Sequence, residues 1–163
     1  MTWMDWAQVA LVGIGATAVM DVWTQALKRM GVATLDYALL GRWTGHLAKG
    51  RLMHTNIGQA KAIAAERPLG WAIHYAVGIA FAGLLAVVAG WPWFHAPTLL
   101  PALAVGMATV VAPLFVLQPA MGAGFMASKT PMPLKNCLRS LATHTVFGLG
   151  LYLSATLIAL CEA

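Results

Sequence analysis

Between Trp71 and Lys129 the chain carries no Lys, Arg, Asp or Glu. A soluble domain of 163 residues cannot hide a stretch that long, because small domains leave much of their surface in water. A membrane span needs roughly 20 apolar residues, so this gap alone implies at least two. The whole chain agrees, with 60% hydrophobic residues, 9% charged residues and a mean hydropathy of +0.75. The reading is an all-α integral membrane protein: a four-transmembrane-helix bundle, one membrane domain over residues 1–163, with spans near 6–27, 70–90, 98–125 and 138–160. The opening "MTWMDWAQ" has acids and no base, so it lacks the basic start of a signal peptide, and the first span is expected to be retained.

Orientation follows from the bases. The first loop, about 28–69, holds Lys28, Arg29, Arg42, Lys49, Arg51, Lys61 and Arg67; the loop before the fourth span holds Lys129, Lys135 and Arg139. All ten then share one side, which the positive-inside rule assigns to the cytoplasm. In a bacterial inner membrane both termini would face the periplasm. The net charge of +5 is thereby matched to anionic headgroups and needs no nucleic acid. Trp3, Trp6, Trp91 and Trp93 fall at the expected outer interface. Cys137 and Cys161 sit at opposite ends of span four, about 36 Å apart along a helix, too far to pair.

The first loop is too long for a passive connection. "TLDYALLGRWTGHLAKG" sets Leu35, Leu39, Trp43 and Leu47 at helical spacing, with Thr34 as N-cap and Gly50 as stop, which predicts a cytoplasmic interfacial helix. "NIGQAKAIAAERP" predicts a second short helix ended by Pro68. Pro113 and Pro119 interrupt span three, which should kink or unwind there. A weak internal repeat aligns "ATAVMDVW" (16–23) with "ATVVAPLF" (108–115), and "HYAVGIA" (74–80) with "HTVFGLG" (144–150). Such an alignment implies two parallel two-helix repeats and sets His74 opposite His144.

The polar exceptions inside the spans carry the functional reading. Asp21 lies seven residues before Lys28, His74 seven after Arg67 and His144 five after Arg139. At 1.5 Å per residue each lies roughly 7–11 Å inside the cytoplasmic boundary, with Gln118 somewhat deeper. An ionisable group in hydrocarbon costs about 2.5 kcal/mol or more, so it turns inward and pairs. The expectation is a single ligand site of Asp21, His74, His144 and Gln118, with His54 folding back beneath it. Three readings stay open. The side chains glue the bundle, or serve an accessory subunit of a membrane complex. Alternatively Asp21, His74, His144 and His54 ligate a divalent metal, or the histidines a haem b, with Gly78 and Gly148 making room for the macrocycle. Thirdly, they bind and move a small solute coupled to protons. His46 is expected on the polar face of the interfacial helix, His95 at the outer interface, and Arg42 beside Asp36 or a lipid phosphate. No nucleophile–base pair or nucleotide motif stands out, so the sequence makes no case for or against an enzyme. The small-residue faces permit a homo-oligomer.

"MDVW", "LDYALLGRWTGH", "GWAIHYAVGIAFA", "PTLLPALAVGMATVVAPLFVLQPAMGAG" and "HTVFGLGLYL", in that order, resemble the bacterial membrane proteins grouped as the "domain of unknown function 2938" family. The resemblance covers nearly the whole chain. It implies a small multi-span inner-membrane protein, and brings no activity or functional residue with it.

Overall fold

The computed structural model describes residues 2–162. Their regular elements are all helical, with no strand among the described residues, and four helices are long and apolar enough to cross a membrane. The first is α1 (Trp3–Arg29), which Thr2 and Asp5 cap reciprocally at its start. After α2 (Tyr37–Leu47) and a 3-10 turn at Ile57–Gln59 comes the second long helix, α3 (Glu66–Ala89). A short α4 (Pro92–His95) leads to the third, Leu99–Met121, composed of α5 (Leu99–Ala108), a π-helical stretch (Ala112–Leu117) and α6 (Gln118–Met121). The fourth is α7 (Pro133–Glu162). The expected interruption of span three is therefore present. Pro113 and Pro119 withhold two amide donors, and the backbone answers by widening to π geometry between them.

Two readings of the first loop change. Asp36, not Thr34, caps α2, its carboxylate accepting from the Ala38 amide 3.0 Å away. "NIGQAKAIAAERP" makes only the 3-10 turn at 57–59, and Pro68 stands in the first turn of α3 instead of ending a helix. Proline suits a first turn because the amide it lacks has no partner there.

The chain divides into two compact units. The first comprises residues 1–32, 75–109 and 142–163. Its core is aliphatic and aromatic: Val12, Leu85, Phe94, Phe147 and Leu151 are all buried. Glycines set how closely its helices approach. A Cβ on Gly13 would stand 2.6 Å from Ile79 Cα, and one on Gly106 would stand 2.6 Å from the Gly148 amide nitrogen. Such backbone-on-backbone contact is how small residues drive helix association where lipid removes the hydrophobic term. Gly78 and Gly148 hold equivalent positions in the aligned stretches 74–80 and 144–150, and each stands at such a crossing. Gly78 meets Gly13 and Thr17, and Gly148 meets Ala102, Leu103 and Gly106. Both glycines are thus filled by neighbouring helices and leave no slot for a flat macrocycle.

The second unit comprises residues 33–74 and 110–141. Here α2 lies on the start of α3 through Gly41 and Gly70, burying Ala38, Leu40 and Gly41. The expected apolar stripe of α2 is less buried than this glycine face, with Leu35 and Leu47 exposed.

Candidate functional site

Within the first unit, α1 presents two stripes. Gly13, Thr17 and Asp21, four residues apart, run along one face. Gly13 and Thr17 meet Gly78, and Asp21 Oδ2 accepts from the Tyr75 hydroxyl at 3.0 Å. The stripe at Ala16, Val19 and Trp23 meets α7: a Cβ on Gly150 would stand 2.8 Å from Ala16 Cα, and the Trp23 indole donates to Thr143 Oγ1 at 3.3 Å. Asp21 is therefore where it is because a four-residue small-residue stripe aims it at α3.

His144 belongs to the same unit and is fixed by α5. The Thr109 hydroxyl is 2.6 Å from the Gly106 carbonyl, which takes its single proton, and 2.8 Å from His144 Nδ1. With that proton committed, Nδ1 must be the donor, so the neutral ring keeps its lone pair on Nε2. Phe81 lies against the same imidazole, ring centroids 6.5 Å apart.

The other two expected members lie in the second unit. His74 is buried, stacked on Tyr37 with ring centroids 4.2 Å apart, and has Trp71 at its edge. Gln118 donates from Nε2 to Ser140 Oγ at 3.4 Å, while its buried Oε1 has no partner among the described residues. Among the described residues, no group of three or more His, Cys, Asp or Glu is arranged to hold a metal ion.

Around α2 the structure corrects three expectations. Arg42 takes Glu66 and not Asp36 as its ion-pair partner: Nε and Nη2 grip the two carboxylate oxygens of Glu66 at 2.9 and 2.8 Å. Its Nη1 reaches the carbonyls of Ile57, Gly58 and Ala60, so this one guanidinium gathers the loop before α3. His46 is buried, not on a polar face, with Nε2 2.9 Å from the Lys61 carbonyl and Nδ1 2.7 Å from His54 Nε2. His54 does fold back into the protein, but onto His46. Burial, with Arg51 next, pushes its imidazole pKa below the ordinary value. The sequence signal for this pair was weak: two histidines eight residues apart across the turn at Gly50, the first buried on α2 as Ala38 and Gly41 are.

The family model described as "Protein of unknown function (DUF2938)" matches residues 10–158. The chain belongs to the DUF2938 family. No curated protein and no solved structure matches it. The match takes in the second and third long helices of this DUF2938 chain and most of the first and fourth, including Asp21, His74, Gln118 and His144, and the description assigns none of them a role.

Proposed function

We propose that this DUF2938 protein is a multi-pass protein of a bacterial inner membrane that binds a small hydrogen-bonding ligand at Asp21 and His144. Both termini face the periplasm in this reading, and anionic headgroups meet the basic side. Eight of the ten bases, all but Lys28 and Arg29, fall in the second unit, which supports a single cytoplasmic face. The observation that carries the ligand reading is the chemistry of the partners. Asp21 and His144, ionisable groups within long apolar helices, are each engaged by a hydroxyl of a neighbouring helix. Intramembrane ionisable groups mark solute and proton paths by default. A hydroxyl gives and takes hydrogen bonds, matching a polar solute or a proton, whereas a structural or catalytic metal calls for three or more converging donors.

The test is a visible spectrum and metal analysis of detergent-purified protein, beside a thermal-shift screen of small polar solutes. The reading expects no Soret band, no stoichiometric metal, and a stabilising solute whose effect is lost in Asp21→Asn. A Soret band or bound metal would return the site to cofactor binding. A variant that melts lower but keeps the full solute effect would reduce Asp21 to helix glue. The π-helical stretch at Ala112–Leu117 favours a second, more specific reading, proton-coupled transport. Interrupted spans line substrate paths because their carbonyls are released from the helix ladder. Proteoliposome flux that survives Asp21→Asn unchanged argues against it.

A further inference from the structure

A separate polar cluster lies in the second unit, and its proton inventory can be worked out. The Lys61 carbonyl can only accept, so His46 Nε2, 2.9 Å away, carries a proton. In the neutral ring His46 Nδ1 is then an acceptor, and His54 Nε2, 2.7 Å from it, must donate. That leaves the lone pair on His54 Nδ1. This nitrogen is buried with no partner among the described residues, in a side chain 6% exposed. Adding one proton changes the picture the same way whichever ring takes the charge: His54 Nδ1 becomes an N–H with no acceptor of its own, the Ala120 carbonyl beside it being already taken by the His54 amide. A buried donor left unpaired opposes the closed structure.

The surroundings offer little relief: the Ala120 carbonyl favours the charged ring, but it already accepts from the His54 amide at 2.9 Å and is outweighed by burial and by Arg51. Arg51, on the same segment, is a like charge, and His46 on α2 is the shared partner. The turn at 118–122 and the 3-10 turn at 57–59 carry no titratable side chain, and Lys61 presents its carbonyl. A metal does not fit between the rings, since bonds of about 2.0–2.1 Å in tetrahedral geometry set nitrogens about 3.3 Å apart. Nor is the pair a through-going relay, because a backbone carbonyl closes one end.

The segment bearing His54 is held at few points. The His54 amide donates to the Ala120 carbonyl at 2.9 Å, and the Trp43 indole donates to the Leu52 carbonyl at 2.9 Å. Gly122, with φ +98°, is backed directly by the carbonyls of Thr55 and His54. Residues 51–55 thus lie across the turn that ends the interrupted third helix, the turn that begins at Gln118.

We propose that residues 51–55 are a pH-operated latch: the neutral His46–His54 pair holds them on the 118–122 turn, and one added proton releases them. The closed form excludes that proton and the open form accepts it. Each pH unit below the ordinary imidazole range therefore raises the open population up to about tenfold, until the closed pair itself titrates. This holds whatever ligand Asp21 and His144 bind.

Hydrogen–deuterium exchange of the full chain in detergent tests it, at pH 7.5, 6.5 and 5.5 with correction for intrinsic exchange. Peptides over 50–56 and 118–123 should exchange several-fold, up to about tenfold, faster at pH 5.5 than at 7.5, while peptides over 146–156 of α7 stay unchanged. His54→Gln, which donates and accepts without titrating, should lose that pH dependence. A flat profile in the unsubstituted protein overturns the proposal by itself, even if the variant does not fold. So does an equal rise in His54→Gln, or loss of protection in α7 together with 50–56.

Discussion

Replacing Gly70 by alanine tests the packing of the second unit most sharply. A Cβ on Gly70 would stand 2.6 Å from the Tyr37 carbonyl carbon and 3.0 Å from the Gly41 amide nitrogen, where ordinary contact begins near 3.4 Å; the Tyr37 oxygen is closer still. The obstructing atoms are backbone, so no side chain can swing away. The two helices must part by about 0.8 Å or more at this point, the shortfall from ordinary contact. The Arg42–Glu66 bonds, at 2.9 and 2.8 Å, join the same two helices one residue from Gly41, and an equal displacement stretches both beyond hydrogen-bond reach. Overpacking costs about 1–3 kcal/mol, and an obstacle made of backbone belongs at about 3. At roughly 2–4 °C per kcal/mol for a chain of this size, Gly70→Ala should melt about 6–12 °C lower. Gly83→Ala on the same helix is the control, because nothing lies within 4 Å of its Cβ position. That change removes backbone freedom from the unfolded chain and should be neutral or stabilising by up to about 1 kcal/mol. Thermal unfolding in detergent, followed by circular dichroism, reads both. A Gly70→Ala melt within about 2 °C of the parent, or an equal drop in Gly83→Ala, would refute the crossing as described.

Tyr75→Phe removes the hydroxyl that Asp21 accepts from and should destabilise by about 0.5–1.5 kcal/mol, the range for hydrogen bonds between spans; the same melting assay checks it. Phe147→Ala empties a side chain that is 2% exposed in the core of the first unit and should cost about 3–5 kcal/mol, read as the largest single drop in melting temperature among these variants. Arg42→Lys cannot hold Glu66 and three carbonyls together, so limited tryptic digestion should cut after Lys61 faster while Lys135 and Arg139 in α7 stay resistant. The depressed pKa of His54 sets a sign for pH: its contribution is complete above about pH 6.5 and is lost as pH falls toward its lower folded value. Melting temperature should hold steady from pH 8 to 7 and decline toward pH 5, less steeply in His54→Gln.

What could be read from the sequence was whatever lipid imposes. Between Trp71 and Lys129 the absence of charge predicted the second and third spans, and Pro113 and Pro119 predicted the break that became the π-helical stretch. Depth along a helix also singled out Asp21 and His144 as exceptions, because 1.5 Å per residue is a fixed ruler. Azimuth was harder. Spacing puts Gly13, Thr17 and Asp21 on one stripe, but only the contacts show that it faces α3 and that Tyr75 waits at its end. The first loop was misread because its organising bonds are non-local. Arg42 finds Glu66 24 residues on, and His46 finds His54 across a turn. Helical periodicity favoured the stripe of Leu35, Leu39, Trp43 and Leu47, yet the smaller face of Ala38 and Gly41 is the one buried. Near lipid, close backbone approach selects small residues over large ones.

A native mass spectrum of the protein, taken gently from detergent beside its Asp21→Asn variant, bears most directly on the claim that the intramembrane acid serves a ligand. The account predicts a small organic adduct on the parent that the variant lacks. An unliganded parent, an adduct of equal abundance on both, or the mass of a metal or haem would contradict it.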